Sequence, residues 1–330
     1  MSKRKAWIDQ ARGLSIFLVV YGHNFPFCEP YIYSFHVPLF FLIAGLFHPD
    51  KVGRDTVIRR AKMILTPYFL WSFLLFAFWW LVGRNYGDST EMNLSVSKNF
   101  LGIFYAQGGS EYMNWGIPMW FLPCVLVLFL LYAGLQRISD PKLRRVAWLL
   151  LIFAGFSWPI LGGGHLPWSL DVAMVALFFY GVGKWVKQGL FELEGWKIWA
   201  VALLLFGVHI LSFYLNDGKV DMYRSQYGAP WWFMISGLSG SLAYILLFKA
   251  LPKIRPLAYI GRHTIVILAT HLRMATVVKV VLMLALGMTA FDFTEGQKLL
   301  LSVVQVVLII PVIWAVNKWF PILDGKIRRT

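Results

Sequence analysis

The chain has 330 residues, of which 58% are hydrophobic and only 14% are charged. Too few polar side chains are present to coat a water-soluble globule of this size, and the composition also excludes disordered, collagen-like and coiled-coil classes. The net charge of +15 would indicate nucleic-acid binding in a soluble protein, but here the basic residues fall in short clusters between long apolar runs. This pattern is typical of a multi-spanning membrane protein that binds no nucleic acid.

The apolar runs are long enough to cross a bilayer as helices, which takes about 20 residues each. We therefore predict an all-α, polytopic bundle of about ten transmembrane helices that forms one domain over residues 1–330. The predicted spans lie at roughly 12–28, 33–48, 63–83, 117–135, 146–162, 168–186, 197–215, 230–250, 257–281 and 297–318.

The positions of the basic residues predict the orientation. Most of the 31 Lys and Arg residues fall on the cytoplasmic side if the N-terminus is inside the cell. Because cytoplasmic segments carry the excess of Lys and Arg, both termini are expected in the cytoplasm. The first apolar run follows a basic stretch without a small-residue cleavage site, which predicts a first helix and not a removable signal peptide.

Arg12 and His23 are the first pair of residues that indicate chemistry. His23 follows Arg12 by eleven positions, which places both on nearly one helix face, about 16 Å apart along the axis. Arg12 is then expected at the cytoplasmic rim and His23 in the outer half of the membrane. This arrangement suits a long ligand with an anionic end and a reactive end. The alternative is a snorkelling anchor and a histidine that bonds between helices.

His36 is predicted at a depth similar to that of His23, so the two imidazoles would share general-base and substrate-orienting roles. The alternative is that His36 pairs with a backbone carbonyl freed by Pro38. At the start of the third span, Arg59 and Lys62 lie at the predicted level of Arg12 and would bind phosphates with it. Anchoring by positive charge on the inner side explains them equally well.

Four further residues within or near spans are candidates because polar groups there are costly to bury. Asp171 needs a partner, either a histidine or a ligand hydroxyl, and Trp120 would stack on a sugar ring or belong to the aromatic belt. His271 and Arg273 lie in the ninth span, and Arg273 should face a cavity or an acceptor. No histidine pair at metal-binding spacing and no cysteine cluster is present, so no metal is expected.

Several motifs follow one another along the predicted helices, beginning with an Arg and a His separated by ten residues. The segments are Asp9 to His23, Phe35 to Phe41 with Ala44 and Gly45, Arg59 with Lys62, Trp120 to Pro123, Leu170 with Asp171, Phe179 to Gly183, and Gly261, Thr264 and His271. Together they resemble the membrane-bound acyltransferase-3 family, most nearly its sugar-modifying, fucose 4-O-acetylase-like branch. Ala44 replaces a common Ser of that family, and Lys62 replaces the more usual second Arg.

The resemblance implies an acyl-CoA-dependent O-acyltransferase of a cell-envelope carbohydrate, multi-pass in a bacterial inner membrane. Acetyl-CoA or another acyl-CoA would enter from the cytoplasm, and a sugar hydroxyl would approach from the outer side, by direct transfer or through an acyl-enzyme. The partners expected are the acyl-CoA, the glycan acceptor and the lipid bilayer, with a homodimer as an open alternative to a monomer. The implied site comprises catalytic His23, His36 and Asp171, donor-binding Arg12, Arg59 and Lys62, and acceptor-binding Trp120, His271 and Arg273.

The main rival is a secondary transporter or flippase of a glycan precursor, because intramembrane His, Asp and Arg residues also serve proton-coupled carriers. The sequence lacks the repeated halves and paired broken helices that many carriers show. A weaker third hypothesis is an accessory subunit of a polysaccharide synthase.

Overall fold

The computed structural model describes residues 5–85, 92–288 and 291–326, and these residues form helices joined by turns and short loops. Lys3, Arg4, Arg328 and Arg329, which contribute to the predicted cytoplasmic charge, lie outside the described residues. The α-helices are α1 (Ala6–Gly22), α2 (Glu29–Leu46), α3 (Arg54–Leu81), α4 (Val96–Tyr105), α5 (Ser110–Met113), α6 (Phe121–Leu135), α7 (Pro141–Ile160), α8 (Leu170–Glu192), α9 (Trp196–Leu215), α10 (Pro230–Ala250), α11 (Arg255–Ile260), α12 (Thr264–Leu286) and α13 (Glu295–Trp319).

Eight helices of the described residues are long and apolar enough to cross a membrane: α3, α6 to α10, α12 and α13. Helix α1 has 17 residues and α2 has 18, and neither belongs to this group. The eight helices make the chain a multi-pass membrane protein. The count of ten crossing helices and the orientation of the termini stay predictions.

Helix α1 begins six residues before the predicted span, because its polar first turns are buried against protein and not exposed to water. Asp9 is 5% exposed and Gln10 is 1% exposed. The Gln10 Oε1 atom accepts a hydrogen bond of 2.8 Å from the backbone N–H of Ile254. Hydropathy registers these side chains as polar and therefore places the start of the helix too late.

The ninth predicted span is divided into the short helix α11 and the long helix α12. Helix α11 packs backbone against backbone on α1. A Cβ atom on Gly13 would lie 2.0 Å from the carbonyl oxygen of Leu257, and one on Gly261 would lie 1.8 Å from that of Asp9. Only glycine permits this approach, so the two helices are held in one fixed register.

The chain divides into two compact units. The first comprises the described residues within 1–40, 193–215 and 235–324, and the second those within 41–192, 216–234 and 325–330. In the first unit α1 packs on α11, and α12 packs on α13. In the second unit α8 packs against both α6 and α7, and its core includes the fully buried Phe129 and Phe179. The single domain over residues 1–330 stays a prediction.

Candidate active site

His23 lies at the end of α1 and not one turn inside a longer helix as predicted. The helix ends at Gly22 because Phe25 adopts the left-handed conformation (φ 52°) and Pro26 cannot continue a helix. The Nδ1 atom of His23 lies 2.7 Å from the carbonyl oxygen of Val19. Since a carbonyl only accepts, Nδ1 donates, and the neutral ring carries its lone pair on Nε2.

Two further histidines of the first unit share this arrangement. His271 of α12 packs its ring against His23 with 4.9 Å between ring centroids, and its Nδ1 lies 3.0 Å from the carbonyl oxygen of Ile267. His36 of α2 lies close enough to His23 for their charges to interact, and its Nδ1 donates to Ile32 over 2.8 Å. The Nε2 atom of His271 is buried without a hydrogen-bond partner among the residues that the structure describes. The first unit therefore holds three imidazoles that each donate through Nδ1 to a backbone carbonyl, which in the neutral ring leaves the lone pair on Nε2.

The ring that packs on His23 is that of His271, whereas the sequence predicts His36 as its partner. His36 lies seven residues after the start of α2 at Glu29, two turns inside the helix and not one. It does bond a backbone carbonyl, as the structural alternative proposed. The carbonyl belongs to Ile32, however, whereas Pro38 frees that of Ser34.

His23 forms part of the wall of a cavity of about 240 Å³ in the first unit. Lys279 and Lys298 contribute two positive charges to this wall, and sequence reasoning did not identify either of them. The Nζ atom of Lys298 donates to the carbonyl oxygen of Phe25 over 2.8 Å and to a carboxylate oxygen of Glu295 over 2.7 Å. Lys279 carried a usable signal, since a charge inside a span is a functional candidate. The lining includes His23, Asn24, Phe25, Lys279, Asp292 and Lys298.

Asn24 joins this cavity to α13 through a polar network that the sequence did not reveal. Its amide donates to the Ser302 hydroxyl over 2.8 Å, and its carbonyl oxygen accepts from Gln305 over 3.2 Å. Ser302 and Gln305 lie three residues apart and so share one face of the apolar middle part of α13. The network fixes the turn that follows His23.

Arg12 and Arg273, the two arginines of the first unit that the sequence singled out, are half-buried. Arg12 lies in the second turn of α1, eleven residues before His23, as the sequence requires. Arg273 follows His271 by two residues on α12, which turns it about 200° around the helix axis. Arg273 and His271 therefore occupy different faces, and the ring contact with His23 belongs to His271.

In the second unit, Asp171 lies in the first turn of α8 and is 1% exposed. One carboxylate oxygen accepts from the Ser225 hydroxyl over 2.9 Å and lies 3.6 Å from Nδ1 of His165. The sequence predicts a histidine or a ligand hydroxyl as its partner, and the structure places a histidine, His165, and a protein hydroxyl, that of Ser225, beside it. His165 was missed because the left-handed backbone of Trp168 and Ser169 brings it back towards the carboxylate.

The other predicted residues of the second unit differ in exposure. Trp120 is 6% exposed and packs edge-on against Phe121, so it is buried within the unit and not part of a lipid-facing belt. Arg59 and Lys62 are exposed on the first turns of α3. Between them, Arg60 places its guanidinium 4.9 Å from the ring centre of Phe129. Among the described residues no cluster of three or more His, Cys, Asp or Glu side chains would hold a metal.

His48 of the second unit is buried, and the sequence assigned it no role. Its Nδ1 lies 2.7 Å from the hydroxyl of Tyr180, and its Nε2 lies 3.0 Å from Oε1 of Gln136. Lys184 donates to its carbonyl oxygen over 2.9 Å. Burial lowers the pKa of His48 to about 4, and the charge of Lys184 adds to this effect. Both ring nitrogens are engaged by protein, which is the arrangement of a structural histidine.

The apolar helices define a multi-pass membrane protein, and His23 lines a cavity in its first unit. The chain belongs to the acyltransferase-3 family, since the model of that family, described as an acyltransferase domain, matches residues 5–318. The protein is therefore a membrane acyltransferase. No curated protein and no solved structure gives a significant match to the chain.

Proposed function

We propose that this membrane acyltransferase transfers an acetyl group, or another acyl group, from acyl-CoA to a hydroxyl of a cell-envelope carbohydrate in a bacterial inner membrane. The observation that carries the proposal is the position and hydrogen bonding of His23. Its Nδ1 donates to Val19, which leaves the basic lone pair on Nε2, and the residue lines a cavity. A neutral imidazole at such a position suits a general base at physiological pH.

The proposed reaction forms one ester bond and breaks one thioester bond. The acceptor oxygen attacks the thioester carbonyl carbon while its proton passes to Nε2 of His23. The carbon–sulfur bond then breaks, and the imidazolium returns the proton to the departing thiolate of CoA. The products are the acylated sugar and free CoA, and His23 is again neutral. The ring of His271 packs against His23, and the Val19 carbonyl that accepts from Nδ1 stabilises the positive charge that His23 carries during the transfer.

Three cations are the proposed contacts to the phosphates of CoA. Arg12 provides a forked donor on α1, and Arg59 and Lys62 provide exposed charges at the start of α3. For the acceptor, we propose that Asp171 positions His165. We also propose that Trp120 and Arg273 contact the sugar. The side of the membrane from which each substrate enters follows from the predicted orientation and is part of the proposal.

The test uses the full-length protein in detergent with labelled acetyl-CoA and a panel of envelope glycans. Free CoA and the mass of each glycan are measured together, and we expect both to change with one acceptor. A transporter gives a different result, because in proteoliposomes its glycan would cross unmodified and without any thioester. Release of CoA without a mass gain on any glycan would indicate another class of acceptor.

The donor site is tested by calorimetry of CoA binding. Arg12→Gln and Arg59→Gln should each weaken binding by about 10-fold or more, since each removes a charge-assisted hydrogen bond of about 1.5–3 kcal/mol. Arg54→Gln is the matched control, because Arg54 is an exposed cation on the first turn of the same helix as Arg59. Unchanged affinity for CoA in both Arg12→Gln and Arg59→Gln would show that these residues do not bind CoA.

A further inference from the structure

A larger cavity lies in the second unit, at the ends of α6, α7 and α8 that the basic residues predict to be cytoplasmic. Its volume is about 630 Å³. None of the residues that line it takes part in the proposed acyl transfer. The lining includes Leu135, Arg144, Arg145, Trp148, Lys184 and Trp185.

The cavity carries an excess of positive charge. No carboxylate forms an ion pair with Arg144 or Arg145 among the described residues. Lys184 is paired with Asp50, whose carboxylate is 91% exposed and so faces water. Within the described part of the chain, the protein thus supplies no ion-pair partner for these two arginine charges. Both arginines line the cavity, and their forked guanidinium groups suit the several oxygens of a phosphate.

Two tryptophans indicate the depth of the cavity relative to the bilayer surface. The rings of Trp148 and Trp185 lie 4.9 Å apart between centroids. Trp148 is buried with its indole N–H donating to the carbonyl oxygen of Leu177 over 3.0 Å, whereas Trp185 is 57% exposed. Exposed tryptophan next to Arg and Lys is typical of the lipid headgroup region. The cationic cavity thus lies where phosphates of the bilayer surface are found.

An entirely apolar groove of about 400 Å³ begins at the same place, because Leu135 lines both it and the cationic cavity. Along α6 the groove extends from Val127 to Leu135, which is about 12 Å of helix. Its floor includes Gly134, where an added Cβ atom would meet nothing within 4 Å. A ligand that fills both spaces has a phosphate at one end and a hydrocarbon chain at the other.

We propose that the cavity and groove bind an anionic glycerophospholipid of the predicted cytoplasmic leaflet. Its phosphate lies against Arg144, Arg145 and Lys184, and one acyl chain occupies the groove across Gly134. Basic pockets between transmembrane helices on this side of a membrane are known to bind anionic headgroups. Positive-inside anchoring alone explains the charges but neither the cavity nor the groove that continues it.

The test is native mass spectrometry of the full-length protein in detergent, titrated with phosphatidylglycerol and with phosphatidylethanolamine of the same chains. We expect tighter binding of phosphatidylglycerol. The double variant Arg144→Gln/Arg145→Gln should weaken it at least about tenfold, from the loss of hydrogen bonds to a charged group. Arg137→Gln/Lys142→Gln removes the same charge from exposed residues outside the cavity and should bind as the wild type does.

A second pair of variants tests the groove. Gly134→Leu fills it and should reduce phosphatidylglycerol binding, while thermal unfolding in detergent confirms that the protein stays folded. Gly207→Leu is the control, because Gly207 is also an exposed helical glycine with open space around it. Equal binding of the two lipids, or equal loss in the control variants, would overturn the proposal. So would displacement of the lipid by adenosine 3′,5′-bisphosphate together with wild-type binding in Gly134→Leu, since the ligand would then be a soluble phosphate.

Discussion

The surroundings of His23 and His48 differ in a way that separates a reactive histidine from a structural one. His48 is 1% exposed, and both of its ring nitrogens face protein partners, Tyr180 and Gln136. His23 is half-buried at a helix end, donates through Nδ1 to its own helix and lines a cavity. The cavity gives a substrate hydroxyl access to His23, whereas both nitrogens of His48 are already taken by protein partners. Burial and hydrogen bonding, and not the residue type, therefore decide which histidine is suited to proton transfer.

His23→Gln should produce the largest effect on catalysis. Glutamine keeps a hydrogen-bond donor near Val19 but takes up no proton at neutral pH, so acyl transfer should fall by about 10²–10⁴-fold. The rate of glycan acylation is followed by mass spectrometry. The affinity for CoA and the thermal unfolding temperature should stay close to those of the wild type.

His48 supplies the control for that experiment, since His48→Gln changes the same residue type away from the cavity. Its acyl transfer per folded molecule should be nearly normal. Equal acylation by the wild type and His23→Gln would show that the protein is an acyltransferase but that His23 is not its general base.

Asp171→Asn extends the comparison of His23 with His48 to a third residue. Asp171 is as buried as His48, but its carboxylate faces a histidine, His165. The substitution keeps the shape and removes the charge that faces His165, so transfer should fall by about 10–150-fold while the protein stays folded. The measurement is kcat and KM for the acceptor at several pH values. A fully active Asp171→Asn protein would make this residue structural, like His48.

His48→Phe should lower stability and not chemistry. The ring is of similar size, but the Tyr180 hydroxyl and the Gln136 amide lose their partner inside the protein. Each unsatisfied buried group costs roughly 1–3 kcal/mol. Thermal unfolding in detergent should show the loss, with exposed Lys51→Gln as a neutral reference. An unchanged unfolding temperature would mean that water replaces the histidine.

The smallest effect concerns pH. The pKa of His48 is lowered from 6.5 to about 4 in the folded protein, so the folded state disfavours the proton that the unfolded state accepts. The stability contributed by neutral His48 is therefore present in full above pH 6.5 and is lost as the pH falls from 6.5 to 4. The gap in unfolding temperature between wild type and His48→Phe should narrow over that range. A difference in unfolding temperature that stays constant between pH 6.5 and pH 4 would contradict the lowered pKa of His48.

Much of the fold was predictable because it rests on local patterns. Each of the ten predicted spans overlaps a helix, and the spacing of Arg12 and His23 on α1 follows from helix geometry alone. The errors lie where the pattern is not local. The start of α1 was misplaced because the burial of Asp9 and Gln10 depends on α11, which is distant in the sequence.

The side-chain partners were the least predictable part of the candidate site. His271 was singled out as an intramembrane polar residue, but nothing in one sequence shows that its ring meets His23. His48 was overlooked for the same reason, since Gln136 and Tyr180 lie far away along the chain. His165 is only six residues from Asp171 and was still missed, because left-handed residues such as Trp168 have no clear sequence signature outside glycine.

Helix α1 carries both the proposed phosphate contact, Arg12, and the proposed base, His23, on one continuous stretch of backbone. The hydrogen-bonded helix therefore sets their separation along its axis. The tight contact of Gly13 and Gly261 keeps α1 from sliding along α11. A donor whose distance from phosphate to thioester does not match about 16 Å would reach one of the two residues and miss the other. With the proposed roles of Arg12 and His23, α1 would select donors by length more than by the chemical nature of the acyl group.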